Sequence, residues 1–284
     1  MIKVLQTGLY STIQDLGRLG SQEYGVPYSG VMDRQAAVYA NSLLGNDVNN
    51  AVLEMSITGA TLKFECDTLI CILGANMNPM LNDVTIRNNK VFKVSKSHVL
   101  SFGKLESGYR SYLAVLGGFK TEKILNSRSM YPNITKESRI KNGDVLPINS
   151  LTSNYNMPYS NLRIDATYIN ESTLNVFKGP EFEKLSNHQQ EQLLNSNFTI
   201  SKNNNRMAYQ LVEPLENNLN GIITSAVLPG TVQLTPAGNL IILMRDCQIT
   251  GGYPRVLQLA ESSMNSLAQK VVGRSINFKL ISEF

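Results

Sequence analysis

Short runs rich in β-branched and apolar residues, each closed by a glycine-bearing turn, recur along most of this chain, and that rhythm predicts a mainly β fold. Ile57 to Phe64, Thr68 to Leu73, Val91 to Val94, Tyr109 to Leu116, Thr231 to Leu234 and Leu240 to Met244 have strand composition. Between and after them fall Gly117-Gly118, Asn142-Gly143-Asp144, Pro229-Gly230 and Gly251-Gly252. This spacing predicts a barrel-like or sandwich architecture rather than a doubly wound sheet.

Helices are few. The clearest begins after Asp33, a good N-cap, and runs from Arg34 to Leu44 before Gly45, with Ala36, Ala37, Ala40, Leu43 and Leu44 on one stripe. A second is predicted over much of Glu181 to Leu194 and a third over Ser263 to Gln269. The polar, Pro-containing stretch Asn149 to Asn161 reads as a linker, giving two lobes, 1–150 and 151–284. A faint repeat relates them: Ser11-Thr12-Ile13-Gln14 and Gly230-Thr231-Val232-Gln233 share a Thr-β-branched-Gln pattern.

Composition narrows the function. With 284 residues, 42% of them hydrophobic and 17% charged, the chain reads as an ordinary soluble globular protein. A net charge of +4 without a Lys/Arg run argues against a nucleic-acid partner and favours anionic small molecules. No membrane span or signal peptide is expected. Three cysteines, an odd number without CxxC spacing, point to a reduced, cytoplasmic protein. His98 and His188 have no Cys, Asp or Glu at ligand spacing, so no metal site and no Ser/His nucleophile is expected.

Chemistry must then rest on carboxylates, amides, hydroxyls and arginines. Gln14, Asp15 and Arg18 crowd into one loop punctuated by Gly17 and Gly20; a ligand site and a tight turn tied by an Asp15–Arg18 pair explain it equally well. Gly25 to Asp33 leads into the first helix, where Ser29 and backbone amides suit a carboxylate or phosphate, with capping by Asp33 the plainer reading. Arg110 and Tyr112 share one strand face beside Gly117-Gly118, suited to clamping an anion or to an ion pair. Ser127-Arg128-Ser129 repeats that ambiguity. Asn205 and Arg206 sit in an Asn-rich turn. Asp246 and Gln248 read as strand neighbours on one side, ahead of Gly251-Gly252-Tyr253, with Cys247 turned to the core. Gly117-Gly118-Phe119-Lys120-Thr121 is only a fragment of a phosphate-binding loop, and no Met-Lys-Met biotin attachment site occurs.

Taken together, Thr12-Ile13-Gln14-Asp15-Leu16-Gly17-Arg18, Gly25-Val26-Pro27, Ser29-Gly30, Met32-Asp33, Ala40-Asn41, Gly45-Asn46, Arg110 to Val115, Ser127-Arg128-Ser129, Asn205-Arg206-Met207 and Thr250 to Pro254 resemble one family in order along nearly the whole chain. That family is KipA, also called allophanate hydrolase subunit 2 or the 5-oxoprolinase C subunit, a module shared with the carboxyltransferase region of urea carboxylase.

The resemblance implies a cyclophilin-like β-barrel fold in two related lobes, the first a β-barrel lobe and the second cyclophilin-like, with a few short helices. It implies one component of an ATP-dependent 5-oxoprolinase, inactive alone, that cleaves 5-oxoproline to glutamate with two partners, a KipI-like B subunit and an A subunit. ATP is expected to bind the complex at a site the sequence does not locate, and biotin is not expected on this chain. Gln14, Asp15, Arg18, Arg110, Asn205, Arg206, Asp246, Gln248, Gly251 and Gly252 occupy family positions, and Ser29 and Tyr253 join them as substrate-binding candidates. Arg18, Arg110 and Arg206 are candidates for anionic charge, Asp15 and Asp246 for acid/base work, Gln14 and Gln248 for orienting an amide. Departures from the family pattern fall at Ala208, Gln210 and Ala226 and in Thr135-Lys136-Glu137-Ser138-Arg139, and bear on substrate and activity rather than fold. The alternatives are one component of a urea-type, biotin-dependent carboxyltransferase, and a non-catalytic regulator that binds the KipI-like protein.

Overall fold

The computed structural model describes residues 1–151 and 164–281, so most of the expected linker, 152–161, lies outside the described residues. The chain forms two compact units: Met1–Arg18 with Ser29–Ile169, and Leu19–Tyr28 with Asn170–Phe284. Both are built mainly of strands, as the glycine-punctuated runs predict.

In the first unit a five-stranded sheet runs in the order Tyr10–Gln14, Val52–Ser56, Ser107–Val115, Thr68–Asn76, Val91–Val94. A six-stranded sheet, which includes Ile2–Gln6, Thr61–Phe64 and Val99–Phe102, accompanies it. The central strands of the five-stranded sheet are buried on both faces and serve two cores in alternation. Leu53, Met55, Ile70, Ile72, Leu113 and Val115 pack with Ile2, Val4, Leu62, Phe64 and Leu100 of the six-stranded sheet. Val52, Leu69, Cys71, Leu73, Tyr112 and Ala114 pack instead with Ala36, Ala37, Ala40 and Leu43. Period-two side-chain alternation thus feeds a helix on one face and a sheet on the other.

That helix, Arg34–Leu43, is the one predicted. The Asp33 carboxylate accepts from the Ala36 amide at 3.0 Å, and Gly45 takes the left-handed conformation, φ 67°, just beyond the helix end. Its alanines let it lie close to the sheet.

The second unit holds a closed seven-stranded barrel. Its order is Thr173–Lys178, Arg255–Leu259, Thr231–Leu234, Leu240–Leu243, Ala208–Leu211, Phe198–Asn204, Ser275–Leu280, and it closes through a parallel pairing of Thr173–Lys178 with Ser275–Leu280. Leu174, Val176, Ile200, Tyr209, Leu211, Ile276 and Phe278 are buried, each flanked in its strand by residues that are not. Closure leaves no free sheet edge in the barrel.

Several boundaries differ from the sequence reading. The strand expected at Ile57 to Phe64 begins at Thr61, and Val52–Ser56, a central strand buried at every position, was not predicted: five residues holding Glu54 and Ser56 give neither a long apolar run nor a β-branched cluster. The second helix spans Asn187–Asn195, not a run from Glu181, because Ser186 and Gln189 form a capping box there; a 3-10 turn at Phe182–Lys184 precedes it. The third helix spans Glu261–Ala268. Asp246 lies in a turn after Leu240–Leu243 and Gln248 in the irregular stretch beyond it, neither on a strand.

Leu113 is fully buried at the centre of the five-stranded sheet. Leu113→Ala is expected to destabilise the first unit by about 2–5 kcal/mol through lost burial and a residual cavity. Urea unfolding monitored by tyrosine fluorescence should show that loss as a lower midpoint.

Candidate functional site

In the first unit the segment Ser127 to Met130 gathers the polar loop that follows strand Tyr10–Gln14. One Asp15 carboxylate oxygen accepts from the Ser127 and Ser129 hydroxyls at 2.6 and 2.7 Å and from the Gly17 amide at 3.0 Å. The other accepts from the Arg128 amide at 2.6 Å. Arg18, almost completely buried, donates to the carbonyls of Ile124, at 3.3 Å, and of Ser129. Gln14 donates from Nε2 to Thr12 Oγ1 and the Met130 carbonyl, both at 3.1 Å. Its buried Oε1 accepts no hydrogen bond among the described residues.

Gly30 lies against this loop: a Cβ there would come within 2.8 Å of the Gly17 nitrogen and the Leu16 carbonyl carbon, and its φ of +89° suits glycine. Ser29 precedes it in the left-handed region, φ 55°, fully buried, its hydroxyl without a partner among the described residues. The helix end that Ser29 was expected to help turn into an anion cradle is filled from within the unit. Asp33 caps it and also accepts from the Tyr168 hydroxyl at 2.6 Å. Burial, followed by the Asp33 charge, raises the Tyr168 hydroxyl far above the usual tyrosine range, so it stays protonated and donating.

Arg110 stands apart from that loop. It is buried 3.8 Å from the Glu54 carboxylate and stacks over the Tyr109 ring at 4.4 Å. Glu54 also accepts from the Met32 amide at 2.8 Å. Tyr112, on the same strand face as Arg110, accepts from the Asp33 amide at 2.8 Å. The internal carboxylate at position 54 is the anion the structure gives Arg110.

In the second unit Arg206 binds Asp246 through two bonds, Nε to Oδ2 at 2.8 Å and Nη2 to Oδ1 at 3.1 Å, with both residues buried. The Asp246 amide donates to the Arg206 carbonyl at 2.9 Å. Asn205 folds its side chain onto the Met207 and Ala208 amides, fixing the turn. Cys247 is buried as expected; burial, then the neighbouring Asp246 charge, pushes its thiol up to about 12. It is no nucleophile at neutral pH.

Gln248 and Gly251 meet at Gln233. Gln248 Nε2 lies 3.5 Å from Gln233 Oε1, and a Cβ at Gly251 would sit 2.4 Å from Gln233 Nε2. That buried Nε2 donates to nothing among the described residues. Gly252 accepts from the Ile222 amide at 2.9 Å, and Tyr253 is exposed. Glu181 braces the neighbourhood: it holds Arg255 through two side-chain bonds of 3.0 Å each, and Arg255 donates onward to the Ala226 carbonyl at 3.0 Å.

Most of the candidates fall into three groups, with Arg110 apart beside Glu54. Gln14, Asp15, Arg18 and Ser29 cluster about residues 127–130 and Gly30; Arg206 pairs with Asp246; Gln248 and Gly251 flank Gln233. Sequence reasoning missed Glu54, which lies in the unpredicted strand, and it saw Gln233 only as part of a faint repeat. It noted Ser127 and Ser129 beside Arg128 but not that they hold Asp15, more than a hundred residues away. Among the described residues no cluster of metal-ligating side chains occurs, and no helix is long and apolar enough to cross a membrane.

Residues 24–280 match the family described as carboxyltransferase domain, subdomain A and B, and the chain belongs to that family. It is 31% identical to the 5-oxoprolinase C subunit of Escherichia coli over 98% of this chain and 90% of that protein. The same identity holds against the 5-oxoprolinase C subunit of Haemophilus influenzae, over 99% and 92%. Urea amidolyase of Saccharomyces cerevisiae is 32% identical over 75% of this chain, which spans only 12% of that protein. The crystal structure of the K. lactis urea amidolyase superposes with a TM-score of 0.88 at 27% identity, covering 99% of this chain and 19% of that one.

Two expectations follow from the geometry. Asp15→Asn sets an amide N–H against donors and should cost the first unit about 1–3 kcal/mol, read as a lower urea midpoint. The hydrogen bond from Arg255 holds the Glu181 carboxyl below its ordinary 4.5 despite burial. A depressed carboxylate contributes stability that is present above the unfolded value and lost as pH falls through the lower folded one. Glu181→Gln should therefore flatten the decline in melting temperature as pH drops below about 4.5, leaving a shallower slope than the parent chain.

Proposed function

We propose that this chain is a subunit of an ATP-dependent 5-oxoprolinase that opens 5-oxo-L-proline to L-glutamate together with partner subunits of the KipI-like B type and the A type. The observation that carries the reading is the match to two bacterial C subunits over nearly the full length of both partners in the comparison. The site chemistry supports it. Within the first unit Gln14 Oε1 is a buried acceptor without a partner among the described residues, and within the second unit Gln233 Nε2 is a buried donor without one. An unmatched buried amide atom costs about 1–3 kcal/mol, which a ligand that completes the bond returns.

Opening a stable lactam needs an activated carbonyl. ATP, bound by the assembled complex, would supply that activation by phosphorylating the amide oxygen; water would then add at the carbonyl carbon, the ring C–N bond would break with its nitrogen taking up a proton, and hydrolysis of the resulting acyl phosphate would release glutamate and inorganic phosphate. Gln14 in the first unit and Gln248 in the second are each proposed as amide-orienting residues, with preplaced donors to stabilise developing negative charge. Arg18, Arg110, Arg206, Ser29 and the Gly251-Gly252-Tyr253 turn remain the proposed binding residues. Asp15 and Asp246 remain the proposed acid/base residues, each in its own unit; the four donors on Asp15 and the bidentate guanidinium on Asp246 also suit both carboxylates to positioning the loops that carry the glutamines.

A second reading, carboxyl transfer to a urea-like amide, is favoured by the likeness to urea amidolyases. It requires a partner that carries biotin, since this chain has no attachment lysine of the Met-Lys-Met type.

The test is ATP hydrolysis by the co-purified subunits with and without 5-oxoproline. ADP and glutamate should appear together only when this chain is present, and Gln14→Leu should lower turnover about tenfold or more, the worth of one hydrogen bond made in the transition state. A stable complex without lactam-dependent ADP release would overturn the reading.

A further inference from the structure

A cavity of about 380 Å³ opens in the first unit, with Asp15, Leu16 and Gly17 of the polar loop forming one side, and its lining is strongly polar. Lys120, Lys123 and Arg128 contribute three cations to it, and Asn49, Asn50 and Asn126 add amide groups. No hydrogen bond or ion pair within the described residues engages the side chains of Lys120, Lys123 or Arg128. Two carboxylates also line the cavity, but both are already occupied as acceptors. Asp15 takes four donors, and Asp47 accepts from the Asn49 amide at 2.8 Å.

The backbone positions that carry two of the cations are fixed in the fold. Arg128 is anchored through its backbone amide on Asp15, and Lys120 through its amide on the Pro147 carbonyl at 2.8 Å. Asn126 sits in the tight Ile124–Ser127 turn, where both it and Leu125 have positive φ, 62° and 51°. Leucine rarely adopts that conformation, so the turn keeps Asn126 at the cavity at some cost in backbone strain.

We propose that this cavity binds a phosphoryl group. Two ammonium point charges and one planar guanidinium around one space fit a multiply charged tetrahedral oxyanion better than a single carboxylate, which one arginine satisfies through two parallel bonds. The amides supply further neutral donors. No aromatic ring lines the cavity, so a nucleoside base finds nothing to stack on; the recognised part is the phosphate, whether free or the end of a nucleotide. The proposal rests on the cavity alone and holds whichever amide the assembled protein acts on.

Titration calorimetry on the full chain at low ionic strength tests it, with inorganic phosphate, pyrophosphate and ATP as separate probes. Saturable binding is expected, weakening with added salt. Lys120→Gln/Lys123→Gln alters two exposed side chains and should leave the melting curve unchanged while raising Kd about tenfold or more. Equal affinity for pyrophosphate and ATP assigns the phosphoryl end alone; tighter ATP binding that the double variant also loses assigns a nucleotide tail. Absence of saturable binding by all three probes, or binding unchanged in the double variant, overturns the proposal. Lactam turnover is a different readout, so either proposal fails without the other.

Discussion

The Asp15 carboxylate is the joint on which the first unit's polar centre depends. Four donors converge on it, from Gly17 on its own loop and from Ser127, Arg128 and Ser129 more than a hundred residues away. A carboxylate so surrounded fixes two segments at once, because each donor left unpaired in a buried setting carries its own desolvation cost. The consequences run outward. Arg18 finds its acceptors on Ile124 and Ser129, Gln14 finds one on Met130, and Arg128 has its amide pinned while its guanidinium stays available. Gly30 is needed for a second segment to lie against the same loop, and the Val31 amide donates to the Asp15 carbonyl at 2.9 Å.

Beneath that centre the five-stranded sheet serves two cores, and this arrangement explains how Arg110 comes to be paired. A strand buried on both faces has no solvent side on which to place a charge, so a guanidinium in such a strand needs an internal anion. Glu54 on the adjacent strand supplies it, and the Met32 amide takes up the second carboxylate oxygen. The pair stands next to the helix entry that Asp33, Tyr112 and Tyr168 organise, so removing either charge would leave the other buried beside a capped helix end.

What could be read from the sequence tracks what is local. The helix at Arg34–Leu43 announced itself by its cap, its alanine stripe and its terminal glycine, and two of the seven barrel strands, Thr231–Leu234 and Leu240–Leu243, by turn glycines and apolar runs, while the other five barrel strands were not read from the sequence. Val52–Ser56 was hidden because its five residues are short and carry a glutamate whose partner, Arg110, lies on another strand fifty-six residues away. Asp246 and Gln248 looked like strand neighbours because i, i+2 spacing is all a sequence offers. The turn at residues 245–246 is set by the Arg206 pairing, a contact forty residues long that no local pattern encodes. Long-range polar pairing is invisible in composition, and it decides whether an arginine is a ligand clamp or an internal counter-ion.

The faint repeat acquires a physical meaning from burial. Thr12-Ile13-Gln14 and Thr231-Val232-Gln233 each end a Thr-β-branched pair, in strands Tyr10–Gln14 and Thr231–Leu234, with a buried glutamine, and each glutamine has one amide atom that its own unit leaves unmatched among the described residues. The two are not equivalent chemically. Gln14 presents an acceptor because its nitrogen is committed to Thr12 and Met130; Gln233 presents a donor because its oxygen faces Gln248. Gly251 preserves the second by withholding a side chain that would collide with the amide nitrogen. Folding alone would favour apolar residues at both places, since a leucine of similar size avoids the penalty of an orphaned amide. A donor and an acceptor, each kept in its own unit at the cost of an unmatched buried amide atom, are features that stability does not explain.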